Sequence, residues 1–291
     1  MDIKAILMGL AFAAMWSSAF TSARIIVEFA PPLTAVACRF LVSGLIGIAI
    51  AKALGQNMNL TRRQWRGVLI FGLCQNALYL GMNFVAMQTI QASLAAIIAS
   101  TMPLLVGLAG WLFMGQKLRP LGVAGLTAGF IGVTIIMWGR LTGGVDVFGL
   151  ALLILGVISL TIATLAVMGA SSGGNVLMIV GLQMLVGSAI LWGPALAFES
   201  FDIAWNWQLI VAFIYTTLVP GLLATWVWFM LVGRIGAVKA STFHFLNPFL
   251  GVAIAAVLLG EKLGADDVLG VIIIAGGILA VQMSKQPVTN R

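Results

Sequence analysis

Charge is what this sequence has least of. Only 8% of its 291 residues are charged, against roughly 25% in an average soluble domain. A chain so poor in ions cannot cover a water-exposed surface, which excludes an ordinary soluble enzyme or binding domain of this length. Histidine occurs once, as His244, so two-histidine metal motifs such as His-Glu-x-x-His are absent and no metal site is expected. The two cysteines, Cys38 and Cys74, lie in apolar stretches without Cys-x-x-Cys spacing; they read as packed thiols and say little about redox compartment. No Gly-x-x-x-x-Gly-Lys-Ser/Thr loop is present, so ATP hydrolysis is not expected and no cofactor is implied. None of the eight acidic residues lies deep in an apolar run, which argues against a two-aspartate intramembrane protease and against carboxylate-based proton coupling. Ser241 and His244 share a helix face, but no Gly-x-Ser-x-Gly elbow supports a nucleophile there, so the chain is read as a non-enzyme.

What is abundant is hydrophobicity, at 62% of the residues. About 20 apolar residues cross a hydrocarbon core, and ten stretches qualify: 3–23, 33–53, 66–87, 91–113, 120–139, 147–168, 175–197, 207–231, 236–259 and 267–284. The expected fold class is therefore all-α integral membrane, with ten transmembrane helices and the lipid bilayer as principal partner. Residues 1–23 resemble a signal peptide, with Lys4, an apolar run and Ser17-Ser18-Ala19, but the run is long enough to stay as the first helix. The net charge of +7 does not point to nucleic acid, because the basic residues are dispersed beside apolar runs instead of forming one face.

Those basic residues carry topology instead. With the N-terminus inside, Lys4, Lys52, Arg62, Arg63, Arg66, Lys117, Arg119, Arg234, Lys239, Lys285 and Arg291 are cytoplasmic, and only Arg24, Arg140 and Lys262 lie opposite. Seven of the eight acids fall on that opposite side, Asp2 being the exception. An even helix count returns the C-terminus to the cytoplasm, so both termini are expected inside a bacterial cytoplasmic (inner) membrane.

The chain also repeats itself. At a fixed offset of 145, residues 77–138 align without a gap on 222–283: Phe84 with Phe229, Ile90 with Ile235, Pro103 with Pro248, Gly115-Gln116-Lys117-Leu118 with Gly260-Glu261-Lys262-Leu263, Gly125 with Gly270 and Gly132 with Gly277. Helices 1–2 match helices 6–7 more loosely, at offsets near 140–144. The expected division is 1–140 and 146–285, followed by a polar tail at 286–291. Five helices are an odd number, so the second copy enters the membrane from the other side. Inverted repeats of this kind build many secondary transporters, with substrate near the midplane between the halves. A small-molecule substrate is thus the expected partner, for a chain acting as a monomer.

The same residues carry a family resemblance. Ala240 to Pro248, Leu259-Gly260-Glu261-Lys262-Leu263 and the glycines Gly270, Gly276 and Gly277 resemble the repeat of the drug/metabolite transporter superfamily, in its ten-helix EamA-type exporters. The first copy departs from the pattern with Gln116 where Glu is usual. Trp16-Ser17-Ser18-Ala19-Phe20 is similar to the family's Trp-Gly-x-x-Phe, with Ser17 replacing Gly, and Arg39-Phe40 resembles its helix-2 Arg-Phe. The resemblance implies export of amino acids or related small metabolites, as in YddG-like amino-acid exporters.

Several residues are candidates for a central cavity. His244 lies mid-helix, three positions from Ser241 and three from Asn247, on one face beside Pro248. Asn76, Tyr79 and Asn83 form a stripe on helix 3. Trp16 and Ser17 on helix 1, with Trp226 and Trp228 on helix 8, offer an apolar-aromatic wall. Arg39, inside helix 2, either meets a substrate carboxylate or is structural. Pro103 and Pro248 are equivalent mid-span positions and are expected to act as hinges. Transport is expected to be uncoupled or weakly coupled by alternating access. The alternative is an exporter of drugs, toxic cations or other metabolites (a sugar phosphate or nucleoside), with proton coupling through His244.

Overall fold

A computed structural model describes residues 3–113, 119–167, 175–235, 240 and 242–284. Among the described residues ten helices follow in order: α1 (Ile3–Phe29), α2 (Pro32–Ala53), α3 (Arg62–Ala86), α4 (Ala92–Phe113), α5 (Pro120–Thr142), α6 (Val147–Val167), α7 (Val176–Phe198), α8 (Trp207–Leu231), α9 (Asn247–Leu259) and α10 (Ala265–Ser284). The first eight contain stretches long and apolar enough to cross a membrane. Among the described residues there is no strand.

α1 and α3 outrun their apolar windows. α1 continues to Phe29, and its added turn carries Arg24 and Glu28 as an i,i+4 ion pair at 3.6 Å. α3 starts at Arg62 because Thr61 and Gln64 form a capping box, Gln64 N–H donating to Thr61 Oγ1 and Thr61 N–H to Gln64 Oε1. Hydropathy locates the lipid-facing run; ion pairs and caps let a helix continue past it.

Consecutive helices run antiparallel, so the loops divide between two ends. One carries Glu28, Asp146, Glu199, Asp202 and Glu261 and is called here the acidic end. The other carries Lys52, Arg62, Arg63, Arg66, Arg119 and Arg234 and is the basic end.

Close helix contacts reproduce the repeat. α5 and α10 cross where Gly125 meets Gly277 and Gly132 meets Gly270. Gly125 is the repeat partner of Gly270, and Gly132 of Gly277. Each residue therefore touches the repeat partner of the other, as a two-fold axis requires. α2 and α7 pack the same way, with a Cβ on Gly44 falling 3.0 Å from the Gly181 carbonyl and Ser188 Oγ donating to the Ala37 carbonyl. Small residues at these crossings let backbones approach where lipid offers no hydrophobic drive.

Helix starts are capped from across the bundle. The residue before α2 is Pro31, which has no side-chain acceptor; Glu199, just past α7, accepts from the N–H groups of Leu33 and Thr34, both at 2.7 Å, and from the Thr34 hydroxyl. Gln91 makes no side-chain cap for α4; Glu261 accepts from Ala92 and Ser93 N–H at 2.8 and 3.0 Å. At the basic end Gln56, just past α2, accepts from Met178 N–H at the start of α7 at 3.0 Å. Gln56 and Glu199 stand at equivalent places in the two copies, 143 residues apart. The repeat partner of Glu261 is Gln116, which lies outside the described residues. Asp146 caps α6 from its own loop; the Thr89 hydroxyl, then the N–H groups of Gly149 and Phe148, hold its carboxyl below the usual carboxylate range.

Replacing Glu199 by alanine strips both N–H groups of their acceptor. The expected cost is about 1–2 kcal/mol, read as a lower unfolding temperature in detergent, with Glu199→Gln recovering part of it. An Ala variant as stable as the parent would mean that water caps α2 equally well.

Candidate functional site

α1, α2, α3 and α8 enclose a small cavity of about 30 Å³ in the interior of the bundle. Trp16 and Phe20 line it from α1, Arg39 from α2, Tyr79 and Asn83 from α3, and Pro220 from α8. Arg39 and Tyr79 are buried, at 4% and 1% exposure. That volume is of the order of one water molecule, so a bound metabolite requires a wider form of the same cavity.

Local backbone geometry brings these groups together. α3 is π-helical over Gly72–Leu80, and α8 over Thr217–Leu223. The two segments begin 145 residues apart, at the repeat offset. π segments release backbone carbonyls from the regular ladder and are frequent at functional sites. Four of the carbonyls here accept side-chain bonds: Tyr79 O from Asn83 Nδ2 at 2.9 Å, Thr217 O from Ser43 Oγ at 3.0 Å, Cys74 O from Ser159 Oγ at 2.9 Å, and Gly221 O from Thr225 Oγ1 at 2.6 Å. The Asn83 Oδ1, buried, has no hydrogen-bond partner.

Toward the basic end lies an aromatic layer. Phe12, about one helical turn below Trp16, sits 5.8 Å from it centroid to centroid, 4.7 Å from Trp228 and 5.4 Å from His244. Trp228 and His244 meet edge-on at 5.0 Å. The Asn247 side-chain amide stands 2.9 Å from His244 Nδ1, a hydrogen bond that ties the ring to the start of α9. Ser17 Oγ donates to the Asn247 carbonyl at 3.4 Å, tying α1 to α9. Toward the acidic end, Arg24 donates to the Met87 carbonyl, joining α1 to the end of α3. Beyond it opens a vestibule of about 810 Å³ lined by Glu28, Glu199 and Asp202 among others.

The sequence candidates therefore separate. Trp16, Arg39, Tyr79 and Asn83 line the cavity. His244, Trp228, Ser17 and Asn247 meet in or beside the aromatic layer, one turn away along α1. Asn76 is not brought to the cavity: its Nδ2 donates to the Gln183 carbonyl on α7 at 2.9 Å. Trp226 is 41% exposed on the outer surface of α8, as expected two residues from an inward Trp228, since i and i+2 face apart. Ser241 lies outside the described residues. Pro103 and Pro248 each occupy the second position of a helix that restarts, after Thr101 in α4 and after a 3₁₀ turn, Thr242–Leu246, before α9. Sequence reading missed Pro220, whose mid-span position was its signal, and the π segments, which periodicity does not announce.

A multi-pass bundle with two-fold-related helix pairs and a buried polar cavity between them is the architecture of a membrane carrier. The chain belongs to the EamA-like transporter family, whose model matches residues 3–138 and again 147–283; it is a membrane transporter of the drug/metabolite type. It is 27% identical to the uncharacterized transporter YvbV of Bacillus subtilis, over 94% of this chain and 89% of that protein. To the uncharacterized inner membrane transporter YedA of Escherichia coli it is 26% identical, over 93% and 88%. The Salmonella typhimurium protein PagO is 23% identical, over 95% and 92%. A crystal structure at 19% identity superposes with a TM-score of 0.72, covering 98% of this chain and 99% of that one, which speaks for the fold alone.

Proposed function

We propose that the chain exports amino acids or related small metabolites across a bacterial cytoplasmic membrane by alternating access, without strong coupling to an ion gradient. The observation that carries the reading is the cavity where α1, α2, α3 and α8 meet, polar on one wall and aromatic on the other. In this reading the acidic end is outside and both termini are inside, as the Lys/Arg bias requires. The aromatic layer of Phe12, Trp228 and His244 closes the cytoplasmic side of the cavity, and the Arg24–Met87 link closes the outer side. Opening each in turn moves a bound solute across. Pro103 and Pro248 give α4 and α9 equivalent breaks at which to bend, each at a point where the N–H needed for a continuous ladder is missing.

Uncoupled transport follows from the same inventory. The described carboxylates sit at helix ends, in caps or in the Arg24–Glu28 pair, so no acid in the span is available to carry a proton. Counterflow of radiolabelled amino acids in proteoliposomes tests the reading. Exchange that persists without a pH gradient, and is not accelerated by one, is the expected result. Strong acceleration by the gradient would transfer the proton to His244 and overturn the uncoupled mechanism; no exchange of any amino acid would overturn the substrate class.

A further inference from the structure

Arg39 presents a physical problem that the fold leaves unsolved. It is buried at 4% exposure, and no carboxylate among the described residues is paired with it. Its Nε has no hydrogen-bond partner. Its guanidinium rests on the adjacent Phe40 ring at 5.2 Å and against the backbone of Gly221, where an added Cβ would fall 3.4 Å from Nη2. It lies seven residues inside α2, about 10 Å along the axis at 1.5 Å per residue, and its low exposure shows that it does not snorkel to the surface. A buried cation without counter-ion or full hydrogen bonding is costly.

The second copy shows that the position does not need a charge to pack. α2 begins at Pro32 and α7 at Val176, an offset of 144, which places Gln183 opposite Arg39 in the repeat. Gln183 is buried at 3% in the same helix pair. A neutral side chain thus fills the equivalent site in one half, and the charge is confined to the half that lines the cavity.

We propose that Arg39 is the substrate-binding residue for a carboxylate, and that the cavity selects solutes that carry one. The partnerless Asn83 Oδ1 on the same cavity wall supplies an acceptor for an ammonium group, so the pair fits the two ends of an α-amino acid. Arg39 is the only basic residue on that wall among the described residues, which favours a single carboxylate over a phosphate bound by several cations. The assignment rests on the carrier reading above, and its test is made independent of transport.

Acetate, a small carboxylate that requires less widening of the cavity than an amino acid does, is titrated against purified protein in detergent at constant ionic strength, with acetamide as the neutral isostere. Acetate is expected to raise the unfolding temperature of the parent and acetamide not to. Arg39→Gln, which copies the side chain of the other half, is expected to fold and to bind acetate about tenfold or more weakly, the scale of one lost charge-assisted hydrogen bond. Arg39→Lys is expected to keep part of the effect. Equal responses to acetate and acetamide, or an acetate response that survives in Arg39→Gln, overturn the assignment. If acetate binding depends on Arg39 while no amino acid exchanges in counterflow, the carboxylate site stands and the amino-acid reading falls.

Discussion

Replacing Gly277 by leucine is expected to abolish the folded protein, while the same change at its neighbour Gly276 is expected to be tolerated. A Cβ on Gly277 would lie 2.6 Å from the Gly125 carbonyl oxygen and 2.8 Å from the Gly129 nitrogen. These are backbone atoms of α5 and cannot rotate away. The helices must separate, and the facing contacts at Gly132 and Gly270 are lost with them. Overpacking a soluble core by a methylene or two costs about 1–3 kcal/mol; a whole side chain driven into backbone exceeds that. Gly276 has no atom within 4 Å of an added Cβ, so Gly276→Leu adds only lipid-facing surface. Size-exclusion profiles in detergent and unfolding temperatures of the two variants provide the measurement. Equal behaviour of the pair would show that α5 and α10 do not cross at this register.

His244→Ala is expected to slow amino-acid counterflow about tenfold, an effect of some 1.4 kcal/mol, with folded protein still recovered. The imidazole joins the rings of Phe12 and Trp228 and is held by Asn247. Its removal leaves a hole in the layer that closes the cavity toward the basic end, and frees the Asn247 amide. His244→Gln, which keeps a polar group of similar reach, should recover part of the rate. Unchanged exchange in the alanine variant would remove His244 from the transport cycle and leave it a packing residue.

Both predictions use features that the chain displays to different degrees. Paired Gly125/Gly270 and Gly132/Gly277 are legible in the sequence as a repeat, because an inverted duplication preserves the residues that let two helices touch. Their cross-pairing, Gly125 on Gly277 and Gly132 on Gly270, is a property of the assembled antiparallel pair. Pro103 and Pro248 are legible in the same way, and the structure interrupts both helices just before them. The polar stripe on α3 was legible only as a stripe. Asn76 and Tyr79 are three residues apart and would share a face of a regular α-helix. A π segment uses more residues per turn, so Asn76 reaches α7 while Tyr79 lines the cavity. Trp226 illustrates the opposite case, since its spacing from Trp228 already placed one of the two outward.

What the sequence determined by itself is the solvent and the symmetry. Scarce charge and long apolar runs require a bilayer, because only internally bonded helices satisfy their backbone there. The offset of 145 requires two related halves, because matching Pro and Gly positions at one spacing reflect one repeated local geometry. What only the tertiary structure decided is which polar groups find partners. Glu199 and Glu261 look alike at the end of any helix until the N–H groups of α2 and α4 are seen opposite them. Arg39 and Gln183 look like unrelated residues until α2 and α7 are superposed by their starts. Hydrogen bonding and charge pairing act over a few ångströms between residues more than a hundred apart in the chain. Local pattern therefore says that a polar group is buried, and packing alone says whether it has been left for a ligand.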